Sequence, residues 1–442
     1  MDVIIATMPA LGHLNPLRPI ARALVRRGHR VRWWTDQSFA EIVAGTGADF
    51  VPMTDAVGMP RIDGLAWQPE RAALSGLDRI RWDIENVFVN PIPGQVAELR
   101  ALLAAHPAQL IVSDAGLMGA GPLYELGGPA WASVGTTPLA LPGRDTAPFG
   151  AARPPSRSVA GRLRNQVLYQ LQDRVVLPGV GATVNRIRAE MGLPRTRTPV
   201  MSTGFSPLLH LQMGVAEFEY PRSDLPAQVH FVGVLADSTS PVPTPEWWPE
   251  VAGSTRPVVH VTQGTVADAE LDDLVLPTLR ALADLDVLVL ATTGRADPAS
   301  LGPLPANARA ARMLPYPLLL PRCAVMVTNG GYGGVQQALA HGVPLVVAGG
   351  SEDKPEVAAR VAWTGAGVDL GGHRPGEADI RAAVRAVLAE PSYRRHAHRL
   401  REAYRRTDAA TRSAELLEQL ATSGRPVSRG AEPTPAYGKR AW

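Results

Sequence analysis

The sequence predicts an α/β protein built from two doubly wound domains, and three observations support this fold class. Residues 1–36 and 324–353 each read as strand, turn, helix and strand, which is a βαβ unit. Between these units, residues 237–256 are rich in proline and lose the apolar period, and the α/β pattern restarts after them. A chain of 442 residues is long enough for two such domains.

The composition is that of an ordinary globular protein and excludes several classes. Hydrophobic residues make up 45% and charged residues 19%, with a net charge of only +3. The basic segment 392–412 contains interspersed acids at helical spacing, which favours a solvated helix face over a nucleic-acid or membrane surface. The single cysteine, Cys323, excludes an intramolecular disulfide and a multi-cysteine metal site. Because no long apolar run or charged leader is present, we expect a cytoplasmic protein without a membrane span.

The first βαβ unit places a histidine where ligands bind in open α/β sheets. His13 lies in a predicted loop, residues 7–15, beyond the carboxyl end of the first strand. A helix is predicted over residues 17–27, with Asn15 as its cap and Pro16 at its first position. The position and the loop context make His13 a candidate general base.

A carboxylate is predicted at the same edge of this sheet. Asp114 directly follows a predicted strand, residues 110–113. It can hold an imidazole in one tautomer, or it can cap the following segment, and the sequence favours neither role. The irregular segment 54–90, rich in tryptophan and methionine, is interpreted as a pocket wall or as ordinary packing under a long loop.

The second βαβ unit contains a glycine-rich turn between a buried strand and a helix. Gly330, Gly331, Gly333 and Gly334 occupy four of five positions. Glycines allow close backbone approach, and the unpaired amides at the start of the helix form a site for a diphosphate. A turn that binds nothing is the alternative. The pattern is neither a P-loop nor the dinucleotide GxGxxG signature, which makes an oxidoreductase less favoured.

The domain bounds follow from these patterns. We predict an N-terminal α/β domain, an interdomain linker, a C-terminal α/β domain, a C-terminal helix that can cross back to the first domain, and a disordered tail. Their bounds are residues 1–236, 237–256, 257–400, 401–421 and 422–442.

Taken together, several motifs resemble a known family. The chain resembles the GT-B glycosyltransferases of family 1, which include UDP-glycosyltransferases and actinobacterial enzymes that glycosylate antibiotics. The resemblance covers nearly all of residues 1–400. The motifs that carry it are PALGHLNPLRPIARALVRRGHRV, VSDAGLMGAGPLYELGGP, HVTQGT, RMLPYPLLLPRCAVMVTNGGYGGVQQALAHGVPLVVAGGSED and EVAARVAWTGAG.

The resemblance implies two Rossmann-like domains facing a central cleft, an N-terminal one that binds the acceptor and a C-terminal one that binds the nucleotide sugar. It also implies an inverting, metal-independent transfer from a nucleotide-diphosphate sugar. It implies that His13 is the general base and that Asp114 orients it. Met313 falls at the base-stacking position, Leu314 at its backbone contact, and Asp353 with Lys354 at the sugar contacts. The complete set of implied donor-binding residues is Gly12, Thr265, Met313, Leu314, Asn329, Gly330, Gly331, Gly333, Gly334, Asp353 and Lys354.

Three departures from the family pattern bear on the donor. Asn329 replaces the usual histidine and Gly334 the usual hydroxyl residue, but the backbone amides of the turn remain. Lys354 replaces a glutamine and cannot accept a hydrogen bond, so the pattern no longer identifies the sugar. Met313 replaces the frequent aromatic residue at the base contact.

The partners expected from this resemblance are a UDP- or dTDP-sugar and a lipophilic small molecule such as a natural-product aglycone. The protein is expected to be a monomer or a homodimer without metal or other cofactor. Two alternatives are a nucleotide-sugar epimerase, which needs no acceptor, and a non-catalytic nucleotide-sugar-binding helper. Because His13 and Asp114 occur together, the transferase is favoured.

Overall fold

The computed structural model describes residues 1–54, 57–59, 68–237, 242–264 and 271–430. These residues form two parallel sheets, as the sequence predicts. The first sheet has the order β3-β2-β1-β4-β5-β6-β7 and the second β10-β9-β8-β11-β12-β13. The strands of the first sheet are β1 (Asp2–Ala6), β2 (Arg30–Thr35), β3 (Asp49–Pro52), β4 (Leu110–Asp114), β5 (Ala130–Gly135), β6 (Leu209–Met213) and β7 (Val229–Gly233). Those of the second are β8 (Val258–Thr262), β9 (Leu288–Thr292), β10 (Ala308–Ala311), β11 (Cys323–Thr328), β12 (Leu345–Val347) and β13 (Gly367–Asp369).

Helices connect these strands. In the N-terminal half they are α1 (Leu11–Leu14), α2 (Leu17–Arg26), α3 (Ala40–Ala44), α4 (Pro69–Ala72), α5 (Gly76–Asp83), α6 (Ile92–Ala105), α7 (Ala120–Glu125), α8 (Val159–Leu171) and α9 (Val180–Glu190). Further along they are α10 (Trp248–Gly253), α11 (Val275–Ala281), α12 (Tyr316–Leu319), α13 (Tyr332–Ala340), α14 (Lys354–Thr364), α15 (Glu377–Ala389), α16 (Pro391–Tyr404) and α17 (Ala409–Ser423). Two π-helical turns, Ile84–Val89 and Gln172–Val176, extend α5 and α8.

The strand order fixes where ligands can bind. In each sheet, successive connections run outward in opposite directions from one pair of central strands, β1 with β4 and β8 with β11. The crevice between such a pair, at the carboxyl ends of the strands, is the usual ligand site of a doubly wound sheet. The central strands are apolar and almost completely buried, as covering by helices on both faces requires.

The two halves are packed against each other at these edges. The Tyr332 hydroxyl, in the glycine-rich turn, donates to the carbonyl of Met213 at the end of β6 over 2.7 Å. The Gln212 amide lies 3.3 Å from the same hydroxyl. The carboxyl-end loops of both sheets therefore meet, and the crevices face a common cleft.

Several sequence-predicted bounds were wrong in detail. The predicted linker contains α10, whose Val251 is buried, because apolar side chains of this segment pack on the second sheet. Strand β10 and helices α4 and α5 were not predicted, since short or weakly periodic segments carry little signal. The segment 401–421 is not one helix, because α16 ends at Tyr404 and α17 begins at Ala409.

The predicted disordered tail begins too early. Helix α17 continues to Ser423 and packs on α2 and on strands β5 to β7. Val427 is buried, its amide donates to Leu208, and its carbonyl accepts from His230. Residues 424–430 are therefore ordered against the first sheet, and residues 431–442 lie outside the described part. Among the described residues, no helix is long and apolar enough to cross a bilayer.

Candidate active site

His13 lies on a one-turn helix at the carboxyl end of β1. The predicted loop is replaced there by α1, and the chain turns directly into α2. The prediction that Asn15 caps this helix was wrong: Pro16 occupies the cap position, and the Asn15 side chain accepts from Arg18. Because Leu14 is buried beneath the turn, its neighbour His13 projects outward with 20% of its side chain exposed.

Asp114 holds the imidazole from the adjacent strand. Its Oδ1 lies 2.7 Å from Nδ1 of His13, and its side chain is completely buried. The backbone amide of Met8 donates to Oδ2 over 2.7 Å, and that of Gly116 donates to Oδ1 over 2.8 Å. An ionised carboxylate only accepts hydrogen bonds, so Nδ1 carries the proton and the lone pair stays on Nε2. Asp114 thus orients His13 and also holds the start of the segment after β4 through the Gly116 amide. It therefore fills both of the roles that the sequence left open.

Gly116 was not singled out in the sequence, yet the pair depends on it. A Cβ atom at this position would lie 2.9 Å from Asp114 Oδ1 and 2.9 Å from His13 Cε1. Any side chain here would displace one of the two groups. The signal in the sequence is only a glycine two positions after a strand-end aspartate, which is too common to predict this contact.

The charges around His13 favour its protonated form. Burial lowers the pKa of His13, but the attraction and hydrogen bond of Asp114 outweigh it. Smaller contributions come from Asp353 and Glu352, so the pKa ends above its usual 6.5. Both of these acids belong to the C-terminal half. Their charges therefore act on His13 from across the cleft.

The glycine-rich turn follows β11 and opens α13. Gly330 has φ of +87°, and a Cβ there would lie 2.9 Å from Val347 Cγ1, so only glycine fits without strain. The first amides of α13, at Tyr332, Gly333 and Gly334, have no acceptor within the helix. Gly331 precedes them as the cap residue. These amides and the helix dipole form a cradle for an anion.

Asn329 links this turn to the loop after β8. Its Nδ2 donates to the Gln263 carbonyl over 2.5 Å, and its Oδ1 lies 3.4 Å from the Gly331 amide. Gly264 adopts φ of +84° beside the same side chain. Thr265, the predicted phosphate contact of this loop, lies outside the described residues. Asn329 therefore holds the backbone of both loops together.

The predicted sugar contacts lie beside the turn. Asp353 caps α14 and Lys354 begins it. A Cβ at Gly330 would lie 3.4 Å from the Lys354 carbonyl, so the two segments touch. The Lys354 ammonium forms an ion pair with Glu352. Burial raises the pKa of Asp353 to about 6, and the Glu352 charge adds to this effect.

The remaining predicted donor residues differ in how exposed they are. Met313 is 48% exposed, whereas Leu314 is buried. Both follow β10 at the edge of the second sheet. Gly12 is exposed next to His13, with open space around it. The structure thus brings His13, Asp114, Asp353, Lys354 and the turn to one cleft, and in the described residues no three His, Cys, Asp or Glu side chains are grouped to hold a metal.

A cavity of about 340 Å³ lies among the elements that follow β5. Its walls include the apolar side chains of Phe149, Leu177 and Val184. The buried Ser202 hydroxyl also lines it and makes no hydrogen bond. The cavity is therefore large enough for a small molecule and offers it both apolar and polar walls.

Comparison with known proteins identifies the family. The chain is 48% identical over 423 residues to 4'-demethylrebeccamycin synthase of Lentzea aerocolonigenes, covering 95% of this chain and 99% of that protein. It is also 33% identical to UDP-glycosyltransferase 2 of Phaeomoniella chlamydospora, over 95% and 96% of the two chains. A family model described as erythromycin biosynthesis protein CIII-like, C-terminal domain, matches residues 277–420. The chain is a glycosyltransferase of the UDP-glycosyltransferase-like family.

The solved structures of other glycosyltransferases have the same fold. A spinosyn rhamnosyltransferase in complex with thymidine diphosphate superposes with a TM-score of 0.70 at 19% identity, covering 95% of this chain and 100% of that one. The two facing parallel sheets described above are therefore the GT-B fold, as the sequence resemblance implied. The enzyme class predicted from the sequence is likewise confirmed by the relatives.

Proposed function

We propose that this glycosyltransferase moves a hexose from a UDP- or dTDP-sugar to a hydroxyl group of a lipophilic natural-product aglycone, with inversion at the anomeric carbon. The observation that carries this proposal is the arrangement across the cleft. An imidazole oriented by Asp114 on one half is within reach of the charges of Asp353 and Glu352 on the other half, which also carries the amide cradle.

The proposed chemistry follows from the free Nε2 of His13. As the acceptor oxygen bonds to the anomeric carbon, its proton passes to Nε2, and the bond from that carbon to the phosphate oxygen breaks. Proton removal by a positioned base contributes roughly 10²–10⁴-fold to the rate. Asp114 stabilises the imidazolium that forms, because it is a buried carboxylate bonded to Nδ1.

The leaving nucleotide diphosphate gains negative charge in the same step. The amides at Gly333 and Gly334 and the N-terminal end of α13 are placed to stabilise that charge without reorganising. Asp353, as a carboxylate, is proposed to accept from sugar hydroxyls. The Lys354 ammonium is proposed to stay with Glu352, so that only the backbone of Lys354 approaches the donor.

The nature of the two substrates is inferred from the relatives and from the cavity. The spinosyn rhamnosyltransferase was solved with thymidine diphosphate, and the fungal relative is named for UDP, so both nucleotides are proposed. The apolar side chains of Phe149, Leu177 and Val184 in the cavity after β5 support a lipophilic acceptor. The relative named 4'-demethylrebeccamycin synthase supports an acceptor from natural-product biosynthesis.

The proposal is tested by incubating the enzyme with UDP- or dTDP-glucose and a panel of polycyclic and macrocyclic aglycones. Mass spectrometry should find a product one hexose heavier, and proton NMR should show a β-linkage from the α-configured donor. A retained α-linkage would contradict the inverting mechanism. An altered sugar in the reaction without acceptor would instead indicate an epimerase.

A further inference from the structure

A loop beside the His13–Asp114 pair is held at both of its ends, and one of these ends is tied to the donor half. Residues 139–152, called here the acceptor-side loop, follow β5, which pairs with β4 and its terminal Asp114. Parallel neighbours end at the same edge, so the chain leaves β5 at the edge of the sheet that carries Asp114. Part of it lines the cavity described above, through Ala140, Pro142 and Phe149.

Two carboxylates hold the ends of this loop. At its start, the Leu139 amide donates to Glu219 Oε2 over 3.0 Å. At its end, the amides of Gly150 and Ala152 both donate to Glu356 Oε1, over 2.9 and 2.7 Å. Glu219 belongs to the N-terminal half, whereas Glu356 lies in the first turn of α14. The loop is therefore fixed once within its own half and once across the cleft.

Arg360 joins the two carboxylates. Its Nη2 lies 2.6 Å from Glu219 Oε1, its Nη1 lies 2.7 Å from Glu356 Oε2, and the guanidinium stacks 4.1 Å over Tyr220. The exposed fractions of the three charged side chains are only 2–5%. The attraction of Arg360 outweighs the burial of Glu219 and keeps its pKa below the usual value. A buried ion pair of this kind is costly to break from one side, so the three groups behave as one unit.

The backbone is strained at both ends of this connection. Among the described residues, Ala152 with φ of +47° and Glu352 with φ of +56° are the only non-glycine residues in the left-handed region. Ala152 carries one of the amides bound by Glu356. Glu352 precedes Asp353 at the start of α14, next to the glycine-rich turn. Strain of this kind persists only where surrounding contacts impose it, and it is concentrated at functional sites.

We propose that Arg360 is a positioning residue that couples the donor half-site to the acceptor-side loop. Helix α14 carries the proposed donor contacts at its first residues, Glu356 within its first turn and Arg360 one turn after Glu356. Movement of the start of α14 when a donor binds is thereby transmitted to Gly150 and Ala152. The inference rests on the proposed function for the identity of the donor and of the loop as an acceptor wall.

The coupling is tested on the full-length enzyme by hydrogen–deuterium exchange with saturating UDP, dTDP or UDP-glucose, after calorimetry has shown which of them binds. Peptides covering residues 139–152 should exchange at least about 5-fold more slowly with ligand, the low end of coupling between protein sites. In Glu356→Gln and Arg360→Lys, the ligand should still bind within about twofold, but this protection should be lost. The Michaelis constant for the acceptor should rise, while that for the donor should not.

The matched control is Arg188→Met. Arg188 is also buried and pairs with Glu125 over 2.7 Å, but it lies within the N-terminal half and has no bond to the loop. It should lose a similar amount of stability and keep the ligand-induced protection. If a nucleotide binds to the wild type and the exchange of residues 139–152 does not change, the coupling inference is contradicted but the proposed function is not. Equal effects in Arg188→Met and Glu356→Gln would reduce Arg360 to a structural role, and a failure of all three ligands to bind would instead contradict the proposed function.

Discussion

The two βαβ units that face the cleft have the same architecture and use it in opposite ways. In the first, β1 leads into α1 and α2, and the functional groups are side chains, His13 held by Asp114. In the second, β11 leads into α13, and the functional groups are main-chain amides beyond a glycine in the left-handed region. The fold supplies the same edge in both cases, but one edge presents an imidazole held by a carboxylate and the other a row of main-chain amides.

This difference predicts how each unit should fail. The first unit should be sensitive to changes of chemistry that preserve shape, because a particular nitrogen and a particular carboxylate are required. The second should tolerate changes of side-chain chemistry and fail when the backbone moves. The four predictions that follow separate these two kinds of sensitivity.

The largest effect is expected for His13→Ala. Loss of the base should lower turnover by about 10²–10⁴-fold. Calorimetric binding of UDP or dTDP should stay within about twofold, because the amide cradle is on the other half. His106→Ala, at an exposed histidine after α6, serves as the control and should match the wild type. Unchanged turnover in His13→Ala would remove this residue from the mechanism.

Asp114→Asn should have the next largest effect, about 10²-fold on turnover, since the amide cannot stabilise an imidazolium as a carboxylate does. The Asp114 charge and hydrogen bond raise the pKa of His13, so their loss should lower it. The base must be neutral to act. The acidic limb of the pH–rate profile should therefore move to lower pH, and a variant that loses only donor affinity would reassign Asp114 to binding.

A backbone change should act mainly on donor binding. Gly330→Ala places a Cβ 2.9 Å from Val347 at a left-handed position, a conformation that costs about 1–2 kcal/mol for other residues. Nucleotide affinity should fall by about tenfold, equivalent to about 1.4 kcal/mol.

The control for this change lies in the same turn. At Gly334, within α13, the nearest atom to an added Cβ is 3.7 Å away. Gly334→Ala should leave nucleotide binding unchanged and stabilise the protein by about 0.5–1 kcal/mol in chemical denaturation. Equal losses of nucleotide affinity in Gly330→Ala and Gly334→Ala would contradict the prediction that binding depends on the backbone conformation at Gly330.

The smallest effect is expected for Asp353→Asn, across the cleft from His13. Asp353 raises the pKa of His13 through its charge, as a minor cause beside Asp114. Asp353→Asn should shift the acidic limb of the rate profile to lower pH by less than Asp114→Asn does. Profiles of kcat at saturating donor isolate this shift from any change in donor affinity. A shift to higher pH would contradict the placement of Asp353 opposite His13.

The sequence predicted those features that depend on local pattern. The apolar runs located the central strands, and Asp114 at the end of β4 and the glycines after β11 were visible as residue types at strand ends. The one-turn helix at His13 and the helix in the linker were missed, because they form through tertiary packing rather than periodicity.

The contacts between distant segments could not be predicted from one sequence. Gly116 matters only because His13 and Asp114 converge on it, and Arg360 only because Glu219 and Glu356 do. From the sequence, Asn329 is interpreted as an altered phosphate ligand, whereas in the structure its side chain donates a hydrogen bond to the neighbouring loop. In each case the partner lies far away in the chain, and no spacing rule connects the two.

The central claim, that the imidazole of His13 faces the donor cradle, is tested most directly by an NMR titration of its Cε1 proton. The resonance is assigned with His13→Gln, and the titration is repeated with saturating UDP or dTDP. A diphosphate in the turn adds negative charge across the cleft, so the pKa of His13 should rise further when the nucleotide is bound. A His13 resonance and pKa that do not respond to a bound nucleotide would contradict the account.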